Sequence, residues 1–165
     1  MKACIYGAGA IGGWIGHRLA RAGASVSVVA RGATLAALQQ HGLRLNQSDQ
    51  LTAQAVTSSA SPAALGVQDV IVLAVKAPSL PEVARQIAPL IGPETIILTA
   101  MNGVPWWFLH GFGGALAGTR LHSVDPQGAL ALAMPAKHIV GCVVHASCSI
   151  DAPATSAGRS TDAGR

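Results

Sequence analysis

Lys2-Ala3-Cys4-Ile5-Tyr6-Gly7-Ala8-Gly9-Ala10-Ile11-Gly12, continuing as a helical run to Ala22, decides the fold of this chain. A short apolar strand feeds a glycine-rich turn, and the turn feeds a helix. That order of elements is the physical device that holds the pyrophosphate of a dinucleotide. Gly7 permits the tight turn, Gly9 removes a side chain where phosphates would approach the backbone, and Gly12 lets the helix lie close to the strand. The helix N-terminus adds unpaired N–H groups and a partial positive charge. Ile11, Ile15 and Leu19 share one helical stripe, and Gly12, Gly16 and Ala20 the adjacent one. Small residues at that spacing suit a helix packed tightly on a sheet. The run Gly7, Ala8, Gly9, Ala10, Ile11, Gly12 is thus the candidate cofactor-binding segment.

The second strand, Ser25-Val26-Ser27-Val28-Val29-Ala30, selects between dinucleotides. NAD-binding domains commonly end this strand with Asp or Glu, which accepts hydrogen bonds from the ribose hydroxyls. Here Ala30 holds that place and Arg31 follows. A carboxylate would repel a 2′-phosphate, whereas a guanidinium pairs with it, so the site reads as one for NADP(H).

Composition narrows the class. The chain of 165 residues is 50% hydrophobic and 11% charged, the profile of a sheet buried on both faces. Its net charge of +4 comes from scattered basic residues with no run or stripe, which argues against nucleic acid as a partner. Every apolar run is short and interrupted, so neither a signal peptide nor a membrane span is expected. The three cysteines, Cys4, Cys142 and Cys148, read as reduced thiols of a cytoplasmic protein. Cys142, His145 and Cys148 are expected on one strand over 139–147 and its end, where a spacing of three alternates faces. No metal site is expected there.

Along the chain, strands alternate with helices. A helix is expected over 34–40, a hairpin or two short strands over 43–56, and a loop over 58–66. A buried strand is expected over 69–75, a helix over 81–88, and further strands over 95–100 and 139–147. The alternation implies an α/β fold, a doubly wound parallel sheet of the Rossmann type. Ligands in such sheets lie beyond the carboxyl ends of the strands. Lys76 follows one such end and Asn102 the next; together they could hold a carbonyl or carboxylate, or serve only as a surface lysine and an Asn-Gly turn. A helix is expected after Asn102, and in its Trp106-Trp107-Phe108 one ring is expected in the core and another at an interface.

Gly7 to Gly13, Arg31, Val75-Lys76 and Met101-Asn102-Gly103, with weaker support from Gly141 and His145-Ala146, resemble the ketopantoate reductase family. The resemblance implies NADPH-dependent reduction of a 2-oxo acid to a 2-hydroxy acid, in pantothenate biosynthesis for the true member. It implies that Asn102 is the catalytic asparagine beside substrate and nicotinamide and that Lys76 is the cofactor-side lysine. Family members are longer and carry a helical C-terminal domain with a catalytic lysine and its supporting glutamate; Lys76 is also the candidate catalytic proton donor in place of the second domain's lysine. Residues 1–150 match the NADP-binding domain; 151–165 read as a disordered tail foreign to the family, as a frameshift or premature end would produce. A chain of this kind is expected to have little or no activity and to self-associate through the surface the second domain would cover. The alternative is a non-catalytic NADP-binding module acting as a sensor or partner subunit.

Overall fold

The computed structural model describes residues 1–111 and 113–158. Its first strand, β1 (Lys2–Tyr6), is followed by α1 (Ala10–Arg21), β2 (Ser25–Val29) and α2 (Gly32–His41). A hairpin, β3 (Leu43–Gln47) and β4 (Gln50–Gln54), precedes β5 (Thr57–Ser59) and β6 (Val70–Leu73). Then come α3 (Leu80–Gln86), β7 (Ile96–Ala100), α4 (Ala129–Ala133), β8 (Ile139–Cys142), β9 (Cys148–Ala152) and β10 (Thr155–Gly158).

Six strands form a parallel sheet in the order β5-β2-β1-β6-β7-β8, so β1 is central. Ala3, Cys4 and Ile5 are wholly buried because helices cover both faces of that sheet. Cys4, Ile71, Leu73 and Ile97 point to one face, where Leu80, Val83 and Ile87 of the α3 region and Trp106 meet them. Ile5, Val26, Val28 and Val72 point to the other face, with Leu38 of α2 and Leu43 of β3. This two-sided burial is why the strands read as continuous apolar runs. Burial pushes the Cys4 thiol up to about 11, partly offset by hydrogen bonds to Ser27 and the Val29 backbone, so it stays protonated at neutral pH.

Buried polar groups pin the amino ends of the strands. The Ser27 hydroxyl donates to Gln68 Oε1, and the Gln68 amide donates to the carbonyls of Leu65 and Gly66. Thr95 Oγ1 donates to the Gln68 carbonyl at 2.6 Å, and His138 Nδ1 donates to the Thr95 carbonyl at 2.8 Å. These bonds sit at the end of the sheet opposite the glycine turn, and hold the strand entrances in register.

A second sheet of four strands, order β4-β3-β10-β9, lies over the outer side of α1. The expected hairpin over 43–56 is part of it. Ser48 and Asp49 form its two-residue loop, both at positive φ (52° and 60°), the primed turn that matches strand twist. α1 is therefore clasped between two sheets, and its small stripe faces both. A Cβ on Gly16 would lie 2.8 Å from Ile5 Cγ1 of the first sheet and 2.9 Å from Leu43 Cδ1 of the second.

Four expectations are corrected here. The stretch 58–66 is not all loop, because β5 pairs with β2 and forms the sheet edge. The strand expected over 139–147 ends at Cys142, and Cys148 opens β9, so Cys142, His145 and Cys148 do not share a strand. The boundary at 150 falls inside β9, and residues 151–158 are not a disordered tail. β10 pairs antiparallel with β9 and parallel with β3, and Ala154, Thr155 and Ser156 are buried. The rest of that expected tail, 159–165, lies outside the described residues. Finally, turns rather than a helix follow Asn102; they bury Trp106, leave Phe108 at the surface and lay the Trp107 ring over Gly141. Among the described residues no helix is long and apolar enough to cross a membrane.

Candidate functional site

The carboxyl ends of β1, β2 and β6 converge on a cleft of about 330 Å³. Gly7, Ala8 and Gly9 form one wall, Ala30 and Arg31 a second, and Val75, Ser79 and Glu82 a third. Gly7 sits at φ +100°, and a Cβ there would lie 2.8 Å from Val75 Cγ1. A Cβ on Gly12 would lie 2.0 Å from the Gly7 carbonyl oxygen, so Gly12 is what lets α1 start so close to β1. Gly9 differs from both: a Cβ there would meet nothing within 4 Å. Its open side is a cradle that a side chain would fill, and it fits the close approach of a phosphate group.

α1 starts directly at this turn. Gly9 is its N-cap with no side-chain hydrogen bond, and its first turn carries no acidic residue. The leading N–H groups, those of Ala10, Ile11 and Gly12 among them, have no partner within the helix. Arg18 and Arg21 occupy its last turn, as the macrodipole favours. Of the fingerprint, Gly7, Ala8 and Gly9 line the cleft, and Ala10, Ile11 and Gly12 do not. Gly13 packs away from the cleft, where a Cβ would lie 2.2 Å from Ser156 Oγ. Ser156 Oγ also donates to the Gly9 carbonyl at 3.5 Å, so β10 supports the glycine turn from behind.

Arg31 stands just past β2 and lines the cleft, as its position in the sequence implies. Its guanidinium forms an ion pair with the carboxylate of Glu82 on α3. The floor below is Tyr6. Its phenol is pushed up from its ordinary value by burial, then by the negative charge of Glu82, with Arg31 acting in the opposite direction.

Lys76 and Asn102 occupy equivalent places, three residues past the paired positions Leu73 and Thr99 of β6 and β7. Asn102 lines a second cleft together with Met101, Gly103, Pro78 and Ser123. Its amide is committed: Oδ1 accepts from the Val144 N–H at 3.2 Å and Nδ2 donates to the Val144 carbonyl at 3.4 Å. This pair ties the β7 end to the segment after β8. Lys76 is exposed and lies outside the lining of both clefts. Asn102 and Lys76 are therefore not brought into one wall.

Three residues of this region escaped sequence reading. Glu82 reads only as an acid in the first turn of a helix; its pairing with Arg31, 51 positions away, is tertiary. Ser156 lay in the supposed tail. Asp125 is buried and accepts from the N–H groups of Leu130 and Ala131 at 3.1 and 3.0 Å, which caps α4. Among the described residues no cluster of three or more His, Cys, Asp or Glu is placed to hold a metal ion.

Residues 3–106 match the family described as Ketopantoate reductase PanE/ApbA. A 2-dehydropantoate 2-reductase from Mesorhizobium japonicum is 48% identical over 154 residues, covering 93% of this chain and 47% of that protein. The crystal structure of a ketopantoate reductase candidate from Ralstonia solanacearum superposes with a TM-score of 0.91 at 52% identity, covering 94% of this chain and 48% of that one. D-mandelate dehydrogenase, solved with NADH and anilino(oxo)acetate, superposes with a TM-score of 0.75 at 21% identity, a likeness of fold alone. The chain spans about half the length of the relatives it matches. By its sequence match, its parallel sheet and its glycine turn, the chain belongs to the ketopantoate reductase family.

Proposed function

We propose that this domain binds NADP(H) and presents it for reduction of a 2-oxo acid to a 2-hydroxy acid, of the 2-dehydropantoate to pantoate type. The observation that carries the reading is the open face of Gly9 beside Arg31 in one cleft at the strand ends. When bound, the cofactor supplies hydride to a carbonyl carbon. The N–H groups at the start of α1 receive the pyrophosphate, and Arg31 pairs with the 2′-phosphate. Asn102 orients the oxo acid with its second amide proton, the first being given to the Val144 carbonyl, and Lys76, between Val75 of the first cleft and Ala77 of the second, adds a cation at the rim on the cofactor side. Free thiols at Cys4, Cys142 and Cys148 support a reducing, cytoplasmic setting.

One observation favours the second reading, a non-catalytic NADP-binding module. The cleft at Asn102 has no titratable side chain among its lining residues, so nothing there gives a proton to the carbonyl oxygen. We therefore infer slow turnover by these residues alone. Exposed Val104, Leu116 and Leu132 favour self-association, so the test uses monodisperse protein. The assay is NADPH oxidation with 2-dehydropantoate. The expected rate lies below the enzyme range of roughly 1–1000 per second, with cofactor binding intact. A rate inside that range overturns the inference of slow turnover, and absence of NADPH binding overturns the function itself.

A further inference from the structure

The end of β2 lacks the carboxylate common in NAD-binding domains, yet the cleft does not lack one. It comes from α3. Glu82 reaches across from the first turn of that helix to the Arg31 guanidinium. Glu82, Val83 and Gln86 face the cleft from α3, so this side of the helix forms the wall opposite β2. The Glu82 side chain is 36% exposed and that of Arg31 is 67% exposed, so the pair is wet, separable and open to an incoming ligand.

We propose that Glu82 is a cofactor-specificity residue whose carboxylate competes with the adenosine 2′-phosphate for the Arg31 guanidinium and so narrows the preference for NADPH over NADH. The proposal rests on the dinucleotide reading of this cleft. A phosphate monoester carries a charge of about −1.5 to −2 at neutral pH. To pair with Arg31 it must displace the Glu82 carboxylate or sit beside it, and each option weakens NADPH binding. NADH brings no phosphate to this place. Its ribose hydroxyls donate hydrogen bonds, which a carboxylate accepts and a guanidinium does not. Arg31 and Glu82 therefore pull the selectivity in opposite directions.

The test is equilibrium titration of NADPH and NADH against the wild type, Glu82→Gln, Arg31→Ala and the double variant. Glu82→Gln keeps the size of the side chain and removes its charge. It is expected to raise the NADPH-to-NADH affinity ratio about three- to tenfold, the scale of a charge pair at an exposed site. Glu82→Ser, which retains a hydroxyl in the first turn of α3, should move the ratio the same way. With Arg31 already removed, Glu82→Gln should move the ratio much less. An unchanged or lowered ratio in Glu82→Gln and Glu82→Ser, at unaltered melting temperature, overturns the proposal. An equal shift with and without Arg31 also overturns it, since that reports plain repulsion rather than competition. If the wild type binds neither cofactor, the dinucleotide reading falls, and this proposal with it.

Discussion

Gly9 and Gly12 lie in one turn but answer to different constraints. A methyl group on Gly12 would strike the Gly7 carbonyl oxygen at 2.0 Å, and backbone cannot swing aside. Gly12→Ala is expected to destabilise the fold by about 1–3 kcal/mol or more. A methyl group on Gly9 meets nothing within 4 Å, and its φ of −77° suits alanine. Gly9→Ala should cost only a few tenths to about 1 kcal/mol of stability, the scale of an N-cap change, while NADPH affinity falls at least about tenfold. Thermal melts and cofactor titrations on both variants check the contrast. Arg31→Ala should weaken NADPH by roughly ten- to hundredfold, the scale of a charge-assisted hydrogen bond, and change NADH far less. Parallel titrations measure it. All of these positions were legible in the sequence, because a glycine fingerprint and the residue after the second strand have fixed places in such a fold. Glu82 was not, because local sequence does not say which helix faces which strand end.

His17 adds a pH dependence at the same scale. It is 1% exposed in the middle of α1. Thr52 Oγ1 donates to the Leu45 carbonyl, so His17 Nε2 donates to Thr52 Oγ1 at 3.0 Å and Nδ1 is left bare. Burial, then the charges of Arg21 and Arg18, hold its pKa below the ordinary 6.5, against the opposing hydrogen bond with Thr52. The unfolded chain takes up the proton near 6.5, while the folded chain does so only at lower pH. The stability tied to neutral His17 is thus fully present above pH 6.5 and is lost as pH falls from there toward the folded value. His17→Gln should flatten that part of the profile, measured by denaturant unfolding across the interval.

At the scale of elements, the hairpin of β9 and β10 is the most informative feature. Its strands are short and rich in Ser, Thr, Ala and Gly, with no apolar alternation, which is why residues past 150 read as a tail. The small side chains have a physical reason: β10 lies against Gly13 of α1, with Ser156 at the point of closest approach. The same absence of alternation hid β5, whose residues are Thr57, Ser58 and Ser59. The apolar strands β1, β2, β6 and β7 were legible because burial on both faces leaves a continuous run. Ser156→Leu is expected to destabilise the domain by about 1–3 kcal/mol through overpacking. A shift of that size lowers the melting temperature by several degrees. An unaltered melt would mean that β10 does not lie on α1.

For the whole molecule, the parallel order of the sheet, with β1 in its centre, places the glycine turn, Arg31 and the ends of β6 and β7 along one edge. That placement follows from strand–helix alternation, so the location of the cleft was foreseeable. The clasp of α1 between two sheets was not, since it depends on β10 returning to β3 across more than a hundred residues of chain. The central claim is that this edge is a dinucleotide site set for NADP(H). Its most direct test is calorimetric titration of the purified chain with NADPH and, separately, NADH. Saturable binding at one site per chain, tighter for NADPH and weakened at least about tenfold on Gly9→Ala with the fold intact, is the expected result. Equal affinity for the two cofactors, or no saturable binding of either, would contradict it.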